Sequence, residues 1–213
     1  MSTSSAPIEV RPVRSRRERR TFLTFPWRVY RDDPLWVPPL LPDRAKVIDP
    51  EQGAFFKRGE AEFFVAWRGS RPVGTICAAE DYHTNDFMGQ KNCVFGFFEC
   101  IEDFAVAEAL FDAAAGWLRE RGMEAIRGPE SPSQNEEVGL LIDGFDSPPV
   151  IMMTYNPRYY IDLIESAGFT KAMDLLAYMV DIHKYGPNGE NIPPLPYFVF
   201  NLTFFSTVFK HLL

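Results

Sequence analysis

The feature of this sequence that most limits its fold is an apolar run followed by a helical stretch and a second apolar run. Residues 93–98 read Cys-Val-Phe-Gly-Phe-Phe without a polar break, which is typical of a central strand covered on both faces. Residues 103–121 place apolar side chains on one helical face, with Asp103 suited to cap the start and Gly122 to close the end. A second strand is predicted at residues 125–128. A strand, a helix and a strand in this order form a crossover, so we expect two parallel strands that are neighbours or near neighbours in an α/β domain.

The flanking segments predict further strands and helices around this crossover. Apolar runs at residues 61–67 and 73–79 are joined by turn-forming residues 68–72 and predict an antiparallel hairpin. The other predicted elements are a strand near residues 8–13, a helix over 15–32 interrupted at Pro26, a proline-rich segment across the core at 33–50, a polar loop at 81–90, a helix over 157–167 and a final strand over 174–182.

The composition excludes several classes of protein. With 213 residues, of which 46% are hydrophobic, the chain is long enough and apolar enough for one folded domain. A formal net charge of −7 argues against nucleic acid or a membrane as a partner, and the basic run Arg14–Arg20 fits a solvated helix face. The start of the chain lacks the pattern of a secretory leader, which favours a cytoplasmic location.

The cysteines also limit the chemistry of the chain. Cys77, Cys93 and Cys100 lie in or beside apolar runs, and none has a cysteine or histidine partner at a metal-ligand spacing. We therefore expect buried apolar thiols, no metal site and no disulfide framework.

The segment after residue 182 differs in composition from the rest of the chain. Residues 183–196 are rich in glycine, proline and asparagine, and residues 197–213 are rich in aromatic side chains. The aromatic stretch is shorter than the ~20 apolar residues that cross a membrane. We therefore divide the chain into a domain at residues 1–182 and an atypical tail at 183–213. Unless the aromatic side chains of the tail pack back on the domain, they are expected to favour self-association or contact with a missing C-terminal half.

Several short motifs, together with the order of the predicted elements, resemble the GNAT acyltransferase superfamily. The motifs are Gly96-Phe97-Phe98-Glu99-Cys100, Ala109-Leu110-Phe111-Asp112, Arg127-Gly128-Pro129, Gly144-Phe145-Asp146-Ser147-Pro148-Pro149 and Tyr155-Asn156-Pro157. The resemblance covers residues 8–182. It implies an α/β (α+β) fold with a mixed central sheet, in which two parallel strands splay apart, flanked by helices.

The resemblance also implies an activity. It implies an acyl-CoA-dependent N-acyltransferase that transfers an acetyl group from acetyl-CoA, or another acyl group from its acyl-CoA, to a small amine by direct attack on the thioester. In this family the pantetheine lies between the splayed strands, and amides at the start of the next helix hold the pyrophosphate. By this comparison the cofactor-binding residues are Phe98, Cys100, Ile101, Phe104, Ala105, Val106, Ala107 and Asn156.

The pyrophosphate loop departs from the family's pattern. That pattern reads Gln or Arg, two residues, Gly, one residue, then Gly or Ala, whereas residues 102–107 read Glu-Asp-Phe-Ala-Val-Ala. Ala107 fits, but Ala105 replaces a glycine and Glu102 brings a carboxylate close to the pyrophosphate. Repulsion between two close charges near a surface is of order 1–4 kcal/mol, so weakened CoA binding is expected. The alternative function is a non-catalytic GNAT-like module that binds a ligand or a partner domain.

The same comparison suggests residues for catalysis and amine recognition. Glu99 lies at the end of the central strand, where several family members carry a general base; the alternative is a solvent-facing strand end. Asn135 is a candidate catalytic residue and Glu136 a candidate substrate ligand, because both follow the splayed strand in a loop. Alternatively, Asn135 caps a short helix that begins at Glu136.

Two tyrosines and a histidine complete the predicted site. Tyr160 is the candidate acid for the leaving thiolate, although the family's usual tyrosine position is Ile164 here and packing is an alternative role. Tyr155 and His83 are candidate substrate ligands. His83 lies in a polar stretch, where a surface histidine is the alternative.

Overall fold

A computed structural model describes residues 6–133, 135–179 and 197–208. The strands are β1 Ile8–Pro12, β2 Gly59–Arg68, β3 Arg71–Asp81, β4 Asn92–Cys100, β5 Ala125–Gly128, β6 Glu130–Ser131, β7 Glu137–Val138, β8 Leu140–Asp143, β9 Thr170–Met179 and β10 Tyr197–Val208. The α-helices are α1 Arg16–Thr24, α2 Pro26–Val29, α3 Leu41–Val47, α4 Tyr82–Met88, α5 Phe104–Arg119 and α6 Tyr159–Ser166, and a 3₁₀ helix spans Ala54–Lys57.

Eight of the ten strands in the described residues form one mixed sheet, as the resemblance implies. Its order is β1-β2-β3-β4-β5-β10-β8, with β9 paired to β10. The predicted hairpin is confirmed as β2 and β3, and β4 and β5 are parallel neighbours joined through α5. Asp103 caps α5, since its side chain accepts a hydrogen bond from the Ala105 amide.

Two local predictions are wrong. The stretch predicted as a polar loop at residues 81–90 contains α4, which the Asp81 side chain caps at the start and Gly89 closes in a left-handed conformation. Asn135 does not cap a helix, because Glu137–Val138 pair with Glu130–Ser131 as a small second sheet. A short polar segment without apolar periodicity gives no signal to separate a helix from a loop or an edge strand.

The end of the chain also differs from the expected organisation. β9 begins at Thr170, four residues earlier than predicted, directly after Gly168 turns the chain with φ 87°. β10 then pairs with β5 and β8 on one edge and with β9 on the other. The sheet therefore extends beyond residue 182, where the sequence analysis placed the domain boundary. Residues 180–196 and 209–213 lie outside the described part of the chain.

The sheet has a different apolar layer on each face. One layer packs β3 and β4 against α5 and α6, and it includes Phe95, Phe98 and Phe111. The other layer packs β2, β3 and β4 against α1 and the 3₁₀ helix, and it includes Phe22 and Phe63. In the described residues, no helix is long and apolar enough to cross a membrane.

Candidate active site

A bulge in β4 decides which face of the sheet carries Glu99. Phe95 and Phe98 both pack on Phe111 of α5, although they are three residues apart. This change of alternation occurs where Phe97 takes a positive φ of 47° and the pairing of β3 with β4 shifts register. In an unbroken strand, residues 95, 97 and 99 would share one face. The bulge therefore turns Glu99 away from α5 and toward α2 and α3.

Gly96 allows this bulge. A Cβ atom on Gly96 would lie 2.0 Å from the backbone oxygen of Glu130, so no other residue fits without moving the backbone. The bulge is held from both sides, since the Phe97 amide donates to Ser131 Oγ at 2.9 Å and the Phe97 carbonyl accepts from Thr75 Oγ1 at 3.0 Å. The geometry around Glu99 is therefore fixed by the backbone.

Glu99 lies in the wall of a cavity of about 480 Å³, a volume in the range of small-molecule sites. The cavity lies between the segment that leads from α2 into α3 and the segment before α6. Its lining residues are Pro26, Trp36, Val37, Pro38, Pro39, Leu40, Asp43, Arg44, Val47, Glu99, Glu136, Glu137, Pro149, Val150, Ile151, Met152, Met153 and Tyr155. Most of these side chains are apolar, so the carboxylate of Glu99 faces a largely apolar space.

Two tyrosine hydroxyls interact with the Glu99 carboxylate. Tyr160 Oη donates to Glu99 Oε2 at 2.8 Å, and the Tyr30 hydroxyl is also within interaction range. Burial raises the pKa of Glu99 to about 7, and the hydrogen bond from Tyr160, the nearby Tyr30 hydroxyl and the charge of Arg44 oppose this shift. A carboxylate with a pKa near neutrality has the strength of a general base at physiological pH.

Two tyrosines of α6, Tyr159 and Tyr160, form hydrogen bonds with the end of β4. Tyr160 is buried, and its hydroxyl accepts a hydrogen bond from the Cys100 amide at 2.7 Å. Tyr159 Oη donates to the Cys100 carbonyl, also at 2.7 Å. Both backbone groups of Cys100, a predicted cofactor-binding residue, are therefore bonded to α6. The Tyr160 hydroxyl is held between Cys100 and Glu99, which suits a role in positioning Glu99.

Arg44 supplies the positive charge of the cavity. Its guanidinium pairs with Glu137 at 2.9 Å and lies 4.8 Å from the centre of the Phe97 ring. The predicted substrate ligand Glu136 also lines the cavity, and burial raises its pKa. Sequence reasoning missed Arg44 on α3 and Tyr30 directly after α2, because both are far from Glu99 along the chain.

Tyr155, a predicted substrate ligand, lines the cavity from the segment before α6. Its hydroxyl donates to Asp33 Oδ2 at 2.8 Å, and its carbonyl accepts from Tyr30 Oη at 3.1 Å. Burial and the contact with Asp33 raise the pKa of Tyr155 to about 12. The Tyr30 ring stacks on Trp36 with centroids 4.8 Å apart. These contacts connect the two cavity walls.

The start of α5 is already occupied by Asp103. The amides of Ala105, Val106 and Ala107 donate to the side chain or carbonyl of Asp103, and the Asp103 carboxylate pairs with Arg68 at 2.9 Å. A pyrophosphate at this helix start would compete with Asp103 for amides and for Arg68. The Asp103 cap therefore leaves few free donors for a CoA pyrophosphate at this helix start.

The other predicted cofactor ligands differ in exposure. Phe104 and Ala105 are exposed at the start of α5 and Ile101 is half-buried, whereas Val106 and Ala107 are buried in the core. Phe98 is also buried, stacked on Phe111.

Asn156 has a structural role. Its side chain accepts from the Leu141 amide at 2.8 Å and donates to the carbonyls of Leu141 and Pro157, so it joins β8 to the segment that enters α6. Its amide hydrogens are both used within the protein.

The structure does not bring Asn135 and His83 to the Glu99 carboxylate. Asn135 is exposed in the turn before β7 and does not line the cavity. His83 is exposed on α4, whose Asn85 accepts from the Asn92 amide at the opposite end of β4 from Glu99.

Comparison with known proteins places this geometry in context. No family model matches the chain. The chain is 39% identical over 180 residues to a protein named bacterial ceramide synthase from Caulobacter vibrioides, covering 84% of this chain but 47% of that protein. The chain therefore spans about half the length of this relative.

Solved structures share the fold at low identity. An N-acetyltransferase from Staphylococcus aureus superposes with a TM-score of 0.57 at 10% identity, covering 95% of this chain and 99% of that one. A putative acetyltransferase from Salmonella typhimurium, solved with its cofactor acetyl-CoA, superposes with a TM-score of 0.51 at 13% identity, covering 94% and 93%. These superpositions include the mixed sheet of this chain, in which β4 and β5 are parallel and α5 joins them. The chain therefore shares the fold of these acetyltransferases.

Proposed function

We propose that the protein is an acyl-CoA-dependent N-acyltransferase in which Glu99 is the general base. The observation that carries this proposal is a carboxylate with a pKa of about 7 in the wall of a 480 Å³ cavity, at the end of the strand beside which the family binds its thioester. The name of the Caulobacter relative, a synthase that forms an amide-linked lipid, agrees with this chemistry.

In the proposed reaction the amine nitrogen attacks the thioester carbon directly. The C–N bond forms as the C–S bond breaks. The ammonium nitrogen loses two protons, of which Glu99 takes one and the leaving thiolate takes the other. Tyr160 holds the Glu99 carboxylate toward the cavity, and the apolar wall keeps its pKa high enough to accept a proton. We thus assign Tyr160 to positioning Glu99 in place of protonating the thiolate.

The cavity favours an amine that carries an apolar chain. Its lining has many proline, valine, leucine, isoleucine and methionine side chains, and the charged groups are few. A small hydrophilic amine would leave this apolar surface in contact with water, whereas an alkyl chain would cover it and gain roughly 0.8 kcal/mol for each buried methylene group. This acceptor differs from the small amine that the sequence resemblance implies, and ceramide, which the relative's name mentions, also contains a long-chain amide.

The test is product formation by the purified chain. We expect dodecylamine with acetyl-, octanoyl- or palmitoyl-CoA to give the corresponding amide by mass spectrometry, and ethanolamine to give much less. Glu99→Gln should form much less amide than the parent, and its matched control is Glu108→Gln, which removes an exposed carboxylate from α5. Failure of a folded sample to form any amide would refute the proposal.

The non-catalytic module remains the second candidate because of one observation, the occupation of the α5 start by Asp103 and Arg68. Calorimetric titration with acetyl-CoA and with CoA discriminates the two. Binding with turnover supports the enzyme. Binding of dodecylamine without any binding of acyl-CoA supports the module.

A further inference from the structure

The mouth of the cavity carries an unusual concentration of exposed apolar side chains. Val37 and Leu40 lie on one side, and Val150, Ile151 and Met152 lie on the other. Leu40 is 71% exposed and Ile151 is 94% exposed. Single exposed apolar residues are common, but residues from two segments that meet around one opening form a contiguous patch. We name these five residues the apolar rim.

The apolar rim continues across α3 to a second depression. A groove of about 410 Å³ runs between α1 and α3. Arg16, Arg19 and Arg20 line it from α1, and Leu41 and Pro42 line it from α3. Because Leu40 borders the cavity and Leu41 borders the groove, α3 is a ridge that joins the rim to the arginines of α1.

The arginines of this face are available to an external anion. Arg16, Arg17 and Arg20 are exposed and form no ion pair with another residue of the described chain. Arg19 is paired with Asp49 at 3.0 Å. α1 presents these charges outward because Phe22, on its other face, is buried in the core.

The acidic groups on this face do not cancel that charge. Asp43 on α3 lies 3.9 Å from Lys46. Glu18 on α1 is used at the helix start, where its carboxylate accepts from the Ser15 and Arg14 amides. The α1 side of this face is therefore basic, although the whole chain has a net charge of −7 and the cavity lining adds Glu99, Glu136 and Glu137 against Arg44.

We propose that this face docks the protein onto an anionic lipid surface. The apolar rim enters the boundary between headgroups and acyl chains, and Arg16, Arg17 and Arg20 contact lipid phosphates. The mouth of the cavity then opens toward the lipid. The proposal goes beyond the proposed function, since it requires no catalysis. It also revises the expectation of no membrane partner, which rested on total charge and not on where the charges lie.

The test is sedimentation with vesicles of phosphatidylglycerol and phosphatidylcholine in equal parts, and with phosphatidylcholine alone. We expect the full chain to sediment with the first vesicle and much less with the second, and added salt to weaken the binding. Each arginine near an anionic surface strengthens binding about fivefold, so Arg16→Gln/Arg17→Gln/Arg20→Gln should weaken it about a hundredfold.

A second pair of variants tests the apolar rim and its specificity. Leu40→Ser/Ile151→Ser should weaken vesicle binding at least tenfold, since both side chains are exposed and their loss leaves the core intact. The matched control is Phe87→Ser, which removes an apolar side chain that is 83% exposed on α4, at the far end of β4. It should leave binding unchanged.

Three results would overturn the proposal. The first is no sedimentation of the folded chain with anionic vesicles. The second is equal binding to both vesicle types. The third is equal binding by the parent and the rim variant. Because sedimentation needs no substrate, a negative result here leaves the amide assay informative, and a failed amide assay leaves this test informative.

Discussion

Tyr160→Phe should shift the pH dependence of the reaction. The substitution removes the hydroxyl that donates to Glu99 at 2.8 Å, an interaction that lowers the pKa of that carboxyl. A hydrogen bond to a charged group contributes about 1.5–3 kcal/mol, and one pKa unit corresponds to about 1.4 kcal/mol. The pKa of Glu99, about 7 in the parent, is therefore expected to rise by ~1–2 units.

The assay is kcat/KM for amide formation as a function of pH, which reports the pKa of the base in the free enzyme. In the parent, kcat/KM should rise with pH through the pKa of Glu99. In Tyr160→Phe, the same rise should occur at a higher pH. The Cys100 amide also loses its partner, so the free energy of unfolding should fall by about 1–3 kcal/mol.

Tyr159→Phe is the matched control for this experiment. It removes a hydroxyl from the same helix that bonds the carbonyl of Cys100 and not the carboxylate of Glu99. It should lower stability without moving the pH profile. An unshifted profile in a folded Tyr160→Phe protein would refute the assignment of Tyr160 as the residue that positions Glu99.

Three further predictions concern stability and cofactor binding. Gly96→Ala should destabilise the fold by about 3 kcal/mol in chemical denaturation, since its Cβ would lie 2.0 Å from the Glu130 oxygen, whereas Gly116→Ala, with no atom within 4 Å, should be neutral or stabilising. Glu102→Gln/Ala105→Gly should strengthen CoA binding about fivefold by calorimetry, because it removes one exposed charge near the pyrophosphate; unchanged affinity would contradict this. Because the pKa of Glu99 is raised to about 7, the native state binds more protons than the unfolded state. The free energy of unfolding should therefore fall as the pH rises from the unfolded pKa of Glu99 to about 7. In chemical denaturation at several pH values, Glu99→Gln should show a smaller fall than the parent.

The parts of the fold that the sequence predicts well are those with local signals. The apolar run at residues 93–98, the capped helix after it and the strand at 125–128 each carry their own pattern, and their order alone makes β4 and β5 parallel. No local sequence pattern predicts which strands pair with β10. Its pairing with β5, β8 and β9 is non-local, so its aromatic composition indicated a separate tail.

In the candidate site, too, some features follow from local sequence and others depend on the folded chain. The position of Glu99 at a strand end can be read from the sequence, but the face it occupies depends on the bulge at Phe97. Gly96 is the sequence signal for that bulge, because a glycine in a strand marks a bulge or a close approach of backbone. Tyr30 and Arg44 could not be assigned, since only the folded chain brings α2 and α3 to β4.

The most direct test of the central claim is the turnover of Glu99→Gln compared with Glu108→Gln. We expect Glu99→Gln to lower kcat for amide formation by a factor of about 10²–10⁴ and to leave the Kd for acyl-CoA unchanged, because the substitution keeps the shape of the side chain and removes only its basicity. Glu108→Gln should match the parent. A Glu99→Gln protein with the parent's kcat across the pH range would contradict the account.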